Sequence, residues 1–516
     1  MKRLACTLLT AIILVGGLFF VETTHATMVS GTLTVDAHWT QNDSPINFNG
    51  TVTVANNVTL TIDPGVTVNL GMYSLFVSGT LNATGDPSNE IMFTASAISN
   101  FTTNINAAIF FSPSSTPWSD AISSGSIIQN ANLNQIYLQI NSASPKIDNC
   151  QFNFQTTYQS TISINGGSPI ISNSIIVYNV QGNTGGANCV NIYGGAPQIT
   201  NNRFVGAYAN YSSNEIRVNS GAPAITNNLF DGDYRGSSNN GITVSSGNPI
   251  ISNNQFKGKG YLTAIVDASS AQFTISNNIF SNCNSGITAK AASALTVNGN
   301  SFLEGNDGID ILDGASLTIT NNLIDHNSRF GISGGGYIES NTITNNQVGI
   351  HNPPSGTITN NNLVGNTLNS IDATTANVNA QNNWWGTTDT QTINQTIYDS
   401  KVDRTLGTIT FVPFLIQPSL TAPAIPSTTP VVTPVPTLPA TPQPTEVVPI
   451  ETPTPTMIQY SQTFIYQVGS VFNLNMIVTA TAIILILAWI IVILGHGLKR
   501  GISKIKSISK EQNEKS

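Results

Sequence analysis

The chain has 516 residues, of which only 9% are charged, and carries a formal net charge of −8 with an isoelectric point near 5.0. Such a surface presents no positive field to phosphates, which argues against nucleic acid as a partner. Five His, six Met and four Cys, with no pair at ligand spacing, argue against a dedicated transition-metal site.

Lys2 and Arg3 precede an apolar run from Leu8 to Val21, and Thr24-His25-Ala26 places small residues where a signal peptidase cuts. Residues 1–26 are therefore expected to be a signal peptide. Cys6 lies before the apolar run, whereas a lipoprotein cysteine must follow it. The remaining Cys150, Cys189 and Cys283 are odd in number and widely spaced, so they read as small buried residues.

From Gly31 to about Ser96 the text alternates in strand period, as in Val58 to Val68, and Asp63-Pro64-Gly65 is a turn in which Pro presets one dihedral and Gly supplies the other. These are the expected first coils and N-terminal cap of a solenoid. The segment Asn100 to Gly125, with Pro113, Pro117 and Trp118, fits poorly and reads as a loop thrown out from one coil.

A regular repeat comes next. Copies of Ile251-Ser252-Asn253-Asn254-Gln255-Phe256 are anchored at Ile128, Ile147, Ile171, Ile199, Ile225, Ile251, Ile275, Val297, Ile319, Ile338, Ile358 and Val378, separated by 19 to 28 residues. A second signal, Gly then Ile, recurs at Gly241, Gly286, Gly308, Gly331 and Gly349, so each repeat holds at least two short strands separated by turns. No copy has a helical period, and leucine-rich repeats would need a Leu ladder that is missing. The pattern predicts an all-β solenoid, a right-handed parallel β-helix, with Ile inward and with Asn and Gly at turns that need a left-handed backbone. The doubled Asn should form a ladder. Pro145, Pro169, Pro197, Pro223 and Pro249, two residues before anchors, suit the start of an edge-exposed strand.

The repeats end at Asn382-Asn383-Trp384-Trp385-Gly386. A cap at about 382–416 is expected, with the two Trp, a helix from Thr390 to Asp399 N-capped by Asp389, and a strand from Thr408 to Phe414. This ending, with Ile397-Tyr398-Asp399 and Val412-Pro413-Phe414-Leu415, resembles the close of secreted right-handed parallel β-helix domains of the pectate-lyase-like superfold. The Asn-Asn and Gly-Ile copies are similar to those of NosD-like, carbohydrate-associated β-helix proteins. The resemblance covers roughly Gly31 to Leu415 and implies the fold, whereas the superfold hosts lyases, hydrolases, adhesins and inert stalks.

The β-helix ectodomain is thus assigned to residues 27–416 and a Pro/Thr-rich linker to 417–456, an extended spacer. A juxtamembrane segment at 457–475 leads into 476–495, an uncharged run of bilayer length. The basic tail 496–516 places the C-terminus in the cytoplasm and the β-helix outside a single-pass membrane anchor.

The acidic concentration is Glu304, Asp307, Asp310, Asp313 and Asp325. Aligning the Gly-Ile signal puts Asp310, Ser333, His351 and Asp372 in one column, with Asp325, His326 and Arg329 in a turn between. Candidate catalytic residues are Asp310, Asp313, Asp325, His326 and Arg329. Candidate binding residues are Glu304, Asp307 and His351, and calcium is the cofactor that Asp307, Asp310 and Asp313 would take. The bland reading is a solvated outer face. The resemblance supplies a test: polygalacturonase-like members carry Asn-Thr-Asp, paired-Asp, Gly-His-Gly and Arg-Ile-Lys motifs, all missing from this β-helix region. The expected function is non-catalytic binding of extracellular or wall polysaccharide, or surface adhesion. The alternatives are a surface-anchored polysaccharide lyase or glycoside hydrolase, and a passive envelope spacer.

Overall fold

The structure, a computed structural model, describes residues 26–95, 107–156, 160–180, 188–206, 213–231, 239–268, 272–290, 294–312, 315, 317–353 and 356–426. The expected signal peptide up to residue 25, the expected linker beyond 426, the segments expected to be juxtamembrane, transmembrane and cytoplasmic, and Asp313 lie outside the described residues. Among the described residues no helix is long and apolar enough to cross a membrane.

Each regular coil is built from three parallel strands, for example Lys146–Asp148, Gln151–Thr156 and Ile162–Asn165. Every strand pairs with its equivalents one coil away: Ile147 lies between Ile128 and Ile171, Phe152 between Leu133 and Ile176, and Ile164 between Ile140 and Ile192. The three resulting walls are termed the anchor, phenylalanine and glycine faces. The anchor face is a 14-stranded sheet, and the other two join round a corner in a 29-stranded one. The phenylalanine strand is the extra one. It is too short for alternation to register, since Gln255–Lys257 buries Phe256 alone between two exposed neighbours.

The anchors from Ile128 to Ile358 form one buried column, which continues upstream through Ala83, Ile62 and Trp39. Val378 departs from it, pairing with Ile409 in a two-stranded sheet in the cap. Beside the anchors, Phe204, Phe230, Phe256, Phe280 and Phe302 stack nearly parallel, with centroids 4.4 to 5.0 Å apart. A parallel ladder repeats about every 4.8 Å, so identical side chains on successive coils must either stack or clash.

The two Asn of each copy divide the work. The first takes the left-handed conformation that turns the chain out of the anchor strand, as at Asn201, Asn227 and Asn253 (φ 57 to 59°). The second is buried. Asn228 donates from Nδ2 to the Ile199 carbonyl at 2.9 Å, while its Oδ1 accepts from the backbone N–H of Asn202 at 2.9 Å. The same pattern passes from Asn202 down to Asn383, so a polar column sits in the core with its amides satisfied by the coils on either side. Ser174 and Cys150 occupy the same column upstream.

Glycine has two roles: Gly65, Gly195, Gly221 and Gly247 take the left-handed backbone expected of turn residues (φ 78 to 96°), whereas the Gly-Ile pairs use glycine otherwise. The Gly of each Gly-Ile pair lacks the left-handed backbone. It lies where a coil corner meets the next, and a Cβ on Gly286 would stand 2.6 Å from the Gly308 carbonyl oxygen. The prolines also differ: the strands they precede are interior, not edge, and the carbonyls of Pro145, Pro169, Pro197 and Pro223 carry the ladder by accepting from the next coil. Within Asn100 to Gly125, Ala108–Phe111 is a regular strand paired with Leu75–Val77, so among the described residues the outlying stretch begins only after Phe111.

The cap holds Trp385, Ile393 and Phe411 buried, whereas Trp384 is half-buried. Asp389 does cap the helix, accepting from Gln391 and Thr392 N–H, but the helix spans only Thr390–Gln395. Ile397–Tyr398 leaves it to extend the glycine face, and the final strand is only Ile409–Thr410. Cys150, Cys189 and Cys283 are buried free thiols, and burial pushes Cys150 and Cys283 up to about 12.

Candidate functional site

Strand alternation sends one residue of each glycine-face strand into the core and its neighbour outward, so register alone builds an outward column. Its members run Arg217, Thr243, Val266, Thr288, Asp310, Ser333, His351, Asp372 and Tyr398. Thr243, Val266 and Thr288 stand in the outward register yet are buried, only 7 to 9% exposed. From Asp310 to Asp372 the column is half-buried and accessible.

Here the functional side chains meet. Asp307 opens its strand and is buried. Arg329, one coil on, grips it with two parallel hydrogen bonds, Nε to Oδ1 at 2.8 Å and Nη2 to Oδ2, and the Phe330 N–H adds a third donor. A forked guanidinium matches a carboxylate in this manner, and the bond to Asp307 holds the Arg329 pKa above its ordinary value. The guanidinium carbon lies 4.7 Å from the Phe330 ring centre, and Phe330 in turn stacks on His351 at 4.0 Å and 2°. His351 Nδ1 sits 2.8 and 2.9 Å from the two oxygens of Asp372, and Asn352 N–H donates to Asp372 at 2.9 Å. Arg329, Phe330 and His351 thus form a tier that joins the two carboxylates.

Asp310 lies on the same strand as Asp307. Burial raises its pKa first, and the nearby Asp307 charge adds to this, against a hydrogen bond from Ser333 and the attraction of Arg329 and His351. A carboxyl biased toward its protonated form can donate or accept a hydrogen bond, which is also what a general acid needs. A second carboxylate in the right place is harder to find. Asp372 is three coils away, about 14 Å by the strand spacing, beyond the ~5–10 Å that separates the two carboxyls of glycosidases. Asp307 is engaged by Arg329.

The other candidates separate from this group. Asp325 ends the phenylalanine strand Leu323–Asp325, where its carboxylate accepts from Thr344 and Asn345 and pairs with His326 Nδ1 at 2.9 Å. His326 is exposed in a left-handed turn, as is Glu304. Register therefore places Asp325 and His326 on a different wall from Asp310 and His351. Among the described residues no group of three His, Cys, Asp or Glu converges as metal ligands. Phe330 was missed by sequence reasoning, although it is the one aromatic residue directly preceding a Gly-Ile pair.

Residues 216–385 match the family model described as right handed beta helix region. With its stacked parallel coils, the chain is a right-handed β-helix protein. No curated protein and no solved structure matches it.

Proposed function

We propose that this right-handed β-helix protein is a binding module for extracellular or wall polysaccharide, secreted by residues 1–26 and held at the cell surface by residues 476–495. The observation that carries the reading is the outward column of the glycine face. Its accessible part presents Asp310, Ser333, His351 and Asp372 on successive coils, next to the buried Thr243, Val266 and Thr288. A ruled surface that, from Asp310 to Asp372, offers one hydrogen-bonding side chain about every 4.8 Å suits an elongated polymer better than a small molecule, which would take a deep pocket.

Binding without turnover is favoured because, among the described residues, the carboxylate beside Asp310, that of Asp307, is taken up by Arg329. A lyase or hydrolase remains the second reading, because burial shifts the Asp310 pKa upward, the direction that favours a general acid. One experiment separates them. The purified β-helix, residues 27–426, is incubated with acidic and neutral polysaccharides with and without Ca²⁺, and retention and new chain ends are both assayed. Retention without new ends supports the module, new ends make Asp310 and Arg329 the residues to replace, and neither outcome leaves a passive spacer.

A further inference from the structure

The outward row of the phenylalanine face alternates with a period of two coils: Leu229, Gln255, Ile279, Ser301, Leu323. Ile279 is 42% exposed, an apolar side chain with no cover. The next two members of the row, Thr342 and Asn362, occupy the same outward register, yet they are 0 and 1% exposed.

The chain itself covers them. After the cap, Leu415 N–H donates to the Asn383 carbonyl, and Ser419 N–H donates to Asn362 Oδ1 at 2.8 Å. Thr421 Oγ1 meets Ser340 Oγ at 2.7 Å, and Thr342 Oγ1 donates to the Pro423 carbonyl. Residues 417–426, which read as the start of a free linker, are therefore a strap. It runs back along the stack, from the last coil toward earlier ones, and reaches the row one coil short of Leu323. Ile425 and Pro426, its last described residues, are half-buried.

We propose that this row is a docking track for an extended Pro- and Thr-rich segment, and that its occupant is the next stretch of the same chain, Ser427-Thr428-Thr429-Pro430. Three features of the strap lead there. It already lies on the row and points along it. Its reach is sufficient: Thr342 to Ile279 is three coils, about 14 Å, which a polyproline-type chain at about 3.1 Å per residue spans in about five residues, from Pro423 to Thr428. The periods agree as well, because three residues of such a chain advance about 9.3 Å and two coils about 9.6 Å, so its side chains stay in phase with Leu323 and Ile279. A segment tethered a few residues from a docked anchor has a high effective concentration, so weak contacts suffice to hold it.

Hydrogen exchange on the full chain in detergent micelles tests this at the amides of Ser427, Thr428 and Thr429, with Ser419 as the internal reference for the strap. The expected result is protection of about tenfold or more over an unstructured segment. Ile279→Asp with Leu323→Asp should abolish it while Ser419 stays protected. The stalk-side variant Thr428→Asp, which leaves the β-helix untouched, should also lose it. Unprotected amides at 427–429 in the unsubstituted chain would overturn the proposal, as would protection unchanged in both variants. Protection that grows with protein concentration would also overturn it, by assigning the row to a segment of another molecule.

Discussion

The coils between Ile199 and Phe302 and those between Leu317 and Asn383 are built on one plan and face the solvent differently. In the first group the phenylalanine column is aromatic and the outward glycine-face residues Thr243, Val266 and Thr288 are uncharged. In the second, Ile324, Ile343 and Leu363 replace Phe, and the outward column, which turns acidic at Asp310 on the Phe302 coil, continues as Ser333, His351 and Asp372. The coils also tighten, from anchor separations of 26 and 24 residues to 19 and 20. A second amide ladder, Asn327 to Asn346 to Asn366, closes the corner there. The anchor column and the first ladder run unchanged through both. The difference teaches that in a solenoid the interior repeat carries stability, and each coil's outward residues are free to carry chemistry.

The sharpest way to break this division is through the interior of the first group. Phe256→Ala removes the central ring of the stack and should cost about 3–5 kcal/mol, read as a lowered denaturation midpoint. The second group offers the matching change, Ile343→Ala, at about 2–5 kcal/mol. A smaller effect is expected from Asn254→Ala, which strands the Ile225 carbonyl and the Asn228 N–H and should cost about 1–3 kcal/mol. Equal loss from Asn341→Ala would show that the ladder does the same work in both groups.

Outward substitutions should behave in the opposite manner. Asp310→Ala with His351→Ala should leave the denaturation midpoint nearly unchanged while reducing polysaccharide retention about tenfold, the scale of one or two lost hydrogen bonds. The smallest effect concerns pH. Burial raises the folded-state pKa of Asp310, so the folded form holds its proton more tightly than the unfolded one. Stability contributed by this group is therefore present below the ordinary carboxylate range and is lost as pH rises through the raised value. Asp310→Asn should accordingly be slightly more stable than the unsubstituted protein at neutral pH, with the gap closing in acid; thermal melts at both pH values check the sign.

These predictions also mark what the sequence made legible. The anchors from Ile128 to Ile358 and the doubled Asn could be read directly, because a parallel stack repeats the same physical demand in every coil. The column of Asp310, Ser333, His351 and Asp372 came from aligning Gly-Ile. The phenylalanine wall was not seen as a strand, since three residues with one inward side chain carry no period. Asp325 and His326 were grouped with Asp310 because they are close in the chain, and a corner of the coil turns them onto another wall. The role of Gly could not be told from spacing either: a tight turn and a close approach between coils select the same residue. The strap at 416–426 has the composition of a free linker, and its docking depends on Asn362 and Thr342, far back in the chain.

The central claim is that the glycine-face column binds polysaccharide and the fold does not depend on it. Its most direct test is retention of residues 27–426 on the polysaccharide panel, comparing the unsubstituted protein with the triple variant Asp310→Ala, His351→Ala, Asp372→Ala, both checked for an unchanged melting midpoint. The account predicts retention of the first and about tenfold or greater loss in the second. Equal retention by two equally folded proteins would place the binding surface elsewhere on the solenoid and contradict it.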